Sequence, residues 1–375
     1  MRSSRSVLAI LFVCSVFAYG CADDSEGELH LSSSNGSSRG GGGSGGGGVS
    51  TDTTGDGRRD VDETVRVGNE ILWEEVVYLH DNTSANRVEV RSLHLRTEHE
   101  RTLWTATDHQ GKPVHVETGD LALTPLRQNI IYASNSESPS VFIQSVAGGQ
   151  ARALALDRER VVSTPRVLGS GDDVIFVESE ADIDGLMSTS TLYRAPLRGG
   201  EIRQAAVTSA GCDVLREPVV LPNTQATIVA ILERCSDPNN AGVYRLNLDT
   251  GEATRFMRFT SDDPATRVQT MALSPDGNRL MVLAEGTFDT DDDMATDAEG
   301  AGVFQLNTSN GSYLGLYRPP NPVSAIRAMA VSPEGNALLL EVTSADGTDL
   351  IMAPIGAGAV THLSESGSAR SPISF

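Results

Sequence analysis

A pattern of about fifty residues recurs along this chain, and no other feature narrows the available folds as far. The stretches SVFIQSVAGGQ (140–150), TLYRAPLRGGE (191–201), GVYRLNLDTGE (242–252), GVFQLNTSNGS (302–312) and DLIMAPIGAGA (349–359) each place an alternating apolar strand before a Gly-bearing turn. Their equivalent apolar positions are Phe142, Tyr193, Tyr244, Phe304 and Ile351, at spacings of 51, 51, 60 and 47 residues. A sixth copy, VEVRSLHLRTE (88–98), puts Val90 another 52 residues upstream of Phe142. Short apolar runs precede each copy, as in NIIYAS, VIFVES, TIVAIL, LMVLAE and LLLEVT, and a further strand follows the turn, as in TRFMRFT. No long stretch carries a helical period. Six units of four antiparallel strands predict an all-β fold, a six-bladed β-propeller of four-stranded blades.

The two ends of the repeat region complement each other. SARSPISF (368–375) occupies the place of a first strand with no second strand after it, whereas GNEILWEEVVYL (68–79) reads as a second strand with no clear first. Pairing them would complete the first blade and remove two open sheet edges, so closure by the C-terminal strand is expected.

Two of the units carry a turn that can be named. MALSPDGNR (271–279) and MAVSPEGNA (329–337) have Pro to preset the first central φ of the turn and Gly to accept a positive one. With the strands that follow, ALSPDGNRLMVLAEG and AVSPEGNALLLEVTS resemble the blades of TolB-type propellers, which carry an SPDG turn between their first two strands. ALTPLRQNIIYAS and VVLPNTQATIVAIL resemble them more loosely, and the third unit keeps only GSGDDVIFV. The resemblance implies a partner in the cell envelope, a protein such as a cell-wall-associated lipoprotein. TolB also has a separate N-terminal α/β domain, where this chain has low-complexity sequence.

That N-terminal sequence reads as export and tethering. Arg2 and Arg5 precede a short apolar run, Val7–Ala18, which is too short to span a bilayer. Ala18, Tyr19, Gly20 and Cys21 resemble a bacterial lipobox, which implies cleavage after residue 20, acylation of Cys21, and an outer-membrane lipoprotein attached through its N-terminal lipid; ordinary signal cleavage is the alternative. The expected organisation is a signal peptide (1–20), an acylated, Gly/Ser-rich flexible tether (21–66) and a propeller domain (67–375).

The chain has 50 acidic and 29 basic residues, a formal charge of −21, which argues against nucleic acid and for cations or basic partners. Calcium is the one cofactor the residues suggest. In the tether, Asp52, Thr54, Asp56, Asp60 and Glu63 fall at positions 1, 3, 5, 9 and 12 of a calcium loop, with Gly57 at position 6 and the Arg58 carbonyl at position 7; a plain polar linker is the competing reading. Asp289, Asp291, Asp293 and Asp297 have similar offsets in the insertion that lengthens one repeat to 60 residues, but lack the sixth-position Gly, which favours a solvated acidic loop. Together with Glu178, Glu180, Asp182, Asp184, Asp292 and Glu299, these acids would make one face of the disc an acidic binding rim. Cys212 and Cys235 are the pair left in the folded region and most simply form one disulfide. A G-x-S-x-G nucleophile elbow is lacking, the literal matches at 36–40 and 42–46 falling inside the Gly/Ser run, H-E-x-x-H and C-x-x-C motifs are absent from the sequence, and His94 and His99 read as surface or packing residues. The expectation is a non-enzymatic binding module, with a metal-dependent hydrolase or a calcium-dependent adhesion protein as alternatives.

Overall fold

Each apolar run of the repeat is a strand in the computed structural model, which describes residues 74–181, 187–207, 213–222, 224, 226–234, 241–259, 267–289, 298–345, 347–356, 358–364 and 368–373. The first sheet contains β1 (Glu75–Asn82), β2 (Arg87–His94) and β3 (Glu100–Thr105). The second is β4 (Leu121–Leu123), β5 (Asn129–Ser134), β6 (Ser140–Ser145) and β7 (Arg152–Ala155). The third is β8 (Val161–Val167), β9 (Asp173–Ala181), β10 (Met187–Pro196) and β11 (Arg203–Val207). A run of eight strands follows: β12 (Asp213–Val220), β13 (Thr227–Arg234), β14 (Gly242–Asn247), β15 (Ala253–Phe259), β16 (Arg267–Leu273), β17 (Arg279–Asp289), β18 (Ala298–Asn307) and β19 (Tyr313–Tyr317). The last sheet is β20 (Ile326–Val331), β21 (Ala337–Ser344), β22 (Gly347–Pro354) and β23 (Thr361–Ser364). β24 (Ala369–Ile373) returns to the first sheet, whose order is β24-β1-β2-β3.

The repeat positions fall on matching strands. Val90, Phe142, Tyr193, Tyr244, Phe304 and Ile351 lie on β2, β6, β10, β14, β18 and β22, opposite Leu79, Tyr132, Phe176, Ala230, Val282 and Leu340. Four sheets have four strands each. The eight-stranded sheet consists of two such meanders, β12–β15 and β16–β19, joined where Arg258 and Phe259 of β15 pair with Asp289 and Phe288 of β17.

Packing between sheets explains why the second strands read as unbroken apolar runs: both of their faces are covered. Ile131 and Ala133 of β5 pack with Val174 and Phe176 of β9, while Ile130 and Tyr132 of the same strand face Val77 and Leu79 of β1. On β21, Leu338 and Leu340 meet Met281 and Leu283 of β17, and Leu339 turns to Val76 of β1. The core is therefore a series of layers, each between consecutive sheets, and the last layer returns to the first sheet. Strands β4, β8, β12, β16, β20 and β24 neighbour one another in a closed cycle. This is a β-propeller arrangement of small antiparallel sheets.

The expected closure is present. Val77 pairs with Ile373, Leu79 with Arg370 and His80 with Ala369. Arg370 adds a two-pronged contact to Asp81, at 2.8 and 2.7 Å, and the Asp81 N–H donates to the Ser368 carbonyl at 2.9 Å. Among the described residues no helix is long and apolar enough to cross a membrane.

Candidate functional site

A group of buried polar side chains lies along the inner strands and the residues beside them, and a local sequence rule helps to place it. STPR (163–166), REPV (216–219) and RSPI (370–373) each place an X-Pro pair within an inner strand. Proline donates no ladder hydrogen bond, so a bulge is the arrangement that tolerates it inside a sheet. The register shifts between Ser163 and Arg166, and between Arg216 and Val219; on β1 it shifts between Val77 and Leu79, opposite Ser371 and Pro372. Thr164, Glu217 and Ser371 are thereby held at φ of 46, 50 and 52°, a left-handed conformation costly for a β-branched residue such as Thr164.

A bulge also frees the backbone N–H of its first residue, and two buried carboxylates accept these groups. The Thr164 N–H donates to Asp120 Oδ1 at 2.6 Å, and the Ser371 N–H to Glu341 Oε2 at 2.7 Å. Glu341 Oε1 also accepts from the Thr118 hydroxyl at 3.2 Å, and Ser371 Oγ accepts from the Gly119 N–H at 2.9 Å. Arg166 donates to the Gly119 carbonyl at 3.1 Å and to its neighbour's at Pro165, 2.8 Å. Thr270 donates to Glu217 Oε2 at 3.3 Å. The result is a polar belt linking the inner strands from β24 to β16. The Thr164 hydroxyl is buried without a partner among the described residues, and nothing in the structure explains it.

Burial dominates the electrostatics of this belt. It pushes the Asp120 carboxyl up to about 8, against the pull of the Thr164 amide and Arg166 and with a further push from Glu217. The Glu341 carboxyl is also raised by burial, which outweighs its two hydrogen bonds. Desolvation lowers Arg166, with Glu217 and Asp120 opposing it. The belt can therefore hold a proton at Asp120 near neutral pH and fasten neighbouring inner strands to each other.

Of the acids expected to form a rim, Glu178, Glu180, Asp289 and Glu299 lie among the described residues. Glu178 is buried in β9 and bonds Arg158 at 2.7 Å, whose guanidinium also lies 4.6 Å from the centre of the Tyr193 ring. Glu180 is exposed and 3.2 Å from Arg160. Asp289, expected in an acidic loop, is instead fully buried at the end of β17, 4.0 Å from Arg258. β17 runs as far as Asp289, and Phe288 beside it packs edge-on against Phe304 at 4.7 Å, both residues being buried. A buried carboxylate needs a cationic or hydrogen-bonding partner, and Arg258 is a cationic one at this strand end. Glu299 is exposed on β18. His94 anchors its own turn, accepting from the Arg96 and Thr97 amides at 3.3 Å each.

Cys21, the 52–63 loop, Asp182, Asp184, Cys212, Cys235, Asp291, Asp292, Asp293 and Asp297 lie outside the described residues. Among the described residues, no group of three or more His, Cys, Asp or Glu side chains is placed to share a metal. Sequence reasoning passed over Asp120, Arg166, Glu217 and Glu341. The signal that points toward Asp120 and Glu341 is the X-Pro pair recurring in inner strands, since the bulges at Thr164 and Ser371 each leave an amide that one of these carboxylates accepts.

No protein-family model matches the chain, and no curated protein sequence matches it. Solved structures do. TolB from Acinetobacter baumannii superposes with a TM-score of 0.57 at 15% identity, covering 80% of this chain and 66% of that one. A nidogen/laminin complex gives 0.52 at 13% identity, covering 80% and 97%. An oligogalacturonate lyase in complex with manganese gives 0.51 at 12% identity, covering 77% and 73%. The chain thus spans just under two thirds of the TolB structure's length. At these identities the likeness is one of fold, and the TolB-like character of the SPDG units holds at that level.

Proposed function

We propose that this chain is a lipid-tethered, six-bladed propeller that acts as a non-enzymatic binding module, holding another envelope protein or polymer on a face of its disc. Counting the eight-stranded sheet as two supports the six-blade reading: its halves are separate meanders joined by two residue pairs, and the inner strands of both halves take part in the cycle. The observation that carries the binding reading is the use made of the axial carboxylates. Asp120 and Glu341 accept backbone amides from bulges on adjoining inner strands, which makes them fasteners of a rigid scaffold. Function on such scaffolds resides in the loops they position. In this reading Cys21 carries the lipid in the outer membrane, residues 21–66 are the tether, Cys212 and Cys235 form a disulfide, and the 52–63 loop is the place for calcium.

A metal-dependent hydrolase is the second reading. The strongly raised Asp120 carboxyl favours it, because catalytic acids are commonly perturbed in this way. Crosslinking in intact cells followed by mass spectrometry separates the two. Recovery of a stable envelope partner by a chain that does not turn over an ester and lactone panel is the expected result; turnover abolished by a chelator and by Asp120→Asn would overturn it.

A further inference from the structure

The turns between first and second strands close alike, by a backbone bond to the residue three before. Arg127 donates to Thr124 O at 2.7 Å, and Gly171, Gly277 and Gly335 donate to Leu168, Ser274 and Ser332 at 2.8 Å each. In the SPDG turn Asp276 accepts the Asn278 N–H at 3.1 Å, and in the SPEG turn Glu334 accepts from the Asn336 side chain at 2.9 Å. The acid is confined to those two turns: the third unit has Ser170 at its place and the fourth reads LPNT (221–224). In the second unit Leu126 occupies that place and is 76% exposed, and Arg127 takes the glycine's place at φ 56°. A local rule broken at stability cost marks a position to examine for function.

Leu126 borders a cleft of about 630 Å³ between the second and third sheets. Its size suits a bound ligand. Its charge is opposite to that of the molecule: Arg152 and Arg198 line it against the single carboxylate of Asp172, in a chain of net charge −21. Both arginines are exposed, and among the described residues no carboxylate lies within ion-pair distance of either. Arg152 is held across the seam by donating to the Leu197 carbonyl. Two guanidiniums, that of Arg152 held by its carbonyl contact, stand beside an exposed leucine and Pro125 and provide forked donors for carboxylates next to apolar surface. The cleft is built from the 124–129, 145–150, 169–173 and 197–200 turns, so it opens on the face opposite the expected acidic rim.

We propose that this cleft binds an acidic peptide segment, its carboxylates on Arg152 and Arg198 and an apolar side chain on Leu126. A peptide fits better than an acidic sugar. None of the lining residues is aromatic, whereas pyranose rings are held by stacking on aromatic faces. The side-chain amide of Asn129 offers a donor and an acceptor to a peptide backbone.

The proposal rests on the binding-module reading and names its ligand chemistry. It is tested on the full chain by fluorescence anisotropy with a fluorescein-labelled pentapeptide of alternating leucine and glutamate. Saturable binding is expected, weakened about tenfold when glutamine replaces the glutamates and, for the glutamate peptide, about tenfold by Arg198→Gln with an unchanged melting temperature. Leu126→Ser should weaken it about threefold, and raised salt should weaken it further. Absence of binding, equal affinity for the glutamine peptide, indifference to Arg198→Gln, or binding of a tri-uronate in place of the peptide would each overturn the proposal. A partner captured in cells by a chain that ignores the peptide overturns the cleft assignment alone and leaves the binding-module reading standing.

Discussion

Asp120 illustrates how a single residue of the belt couples packing to pH. Its carboxyl is raised from an ordinary 3.8 to about 8, so between those values the folded chain keeps a proton that the unfolded chain releases. Stability must therefore fall as pH rises across that window, by up to about 1.4 kcal/mol per pH unit for one proton, and level off above it. Asp120→Asn keeps an Oδ1 acceptor for the Thr164 amide but cannot ionise. Melting temperatures from pH 4 to 9 should decline less steeply for the variant, with Glu341 accounting for part of the slope that remains; an unchanged slope would mean that Asp120 is not the group responsible. Residues of this kind were poorly legible in the sequence. An isolated Asp after Thr-Gly gives no sign of burial, and Asp289 was misplaced because a run of acids looks solvated until Phe288 is seen to enter the core.

Among the elements, the SPDG turn does more than reverse the chain. A Cβ built on Gly277 would lie 2.1 Å from Pro222 Cγ of the preceding unit's turn, while Gly171 meets Pro125 at 3.6 Å and Gly335 meets Pro275 at 3.5 Å. Proline in one turn thus packs on glycine in the next, so the motif serves the seam between sheets as well as the turn itself. Gly277→Ala combines this collision with a φ of +70° and is expected to cost about 2–4 kcal/mol in urea unfolding. Gly111→Ala has a comparable φ of +86° with nothing within 4 Å and should cost about 1–2 kcal/mol. Similar losses at the two sites would show that the proline contact carries no weight. The turn itself could be read from Pro and Gly, but its packing on the neighbouring unit could not, because the paired residues lie 46 to 60 positions apart.

For the molecule as a whole, closure by β24 is the step on which the cycle depends. Removing residues 368–375 strips β1 of its ladder, eliminates the Arg370–Asp81 contact and opens the layer between the last and first sheets. The truncated chain is expected to lose cooperative melting and to form soluble aggregates through the bared β1 edge on size-exclusion chromatography. Arg370→Ala, which leaves the strand in place, should remain monomeric and lose about 1–3 kcal/mol, since Asp81 is partly exposed. A truncated chain that melts like the full one would show that closure contributes nothing.

The sequence by itself determined the repeat, the strands that belong to each unit, and the pairing of the chain's two ends. These are set by local alternation and turn chemistry, which act over a few residues and can be read in order. Only the tertiary structure decided which acids are buried, which arginines meet them, and that a cleft opens between the second and third sheets. Those outcomes arise at seams between units, where side chains far apart in sequence compete for the same space and the same water.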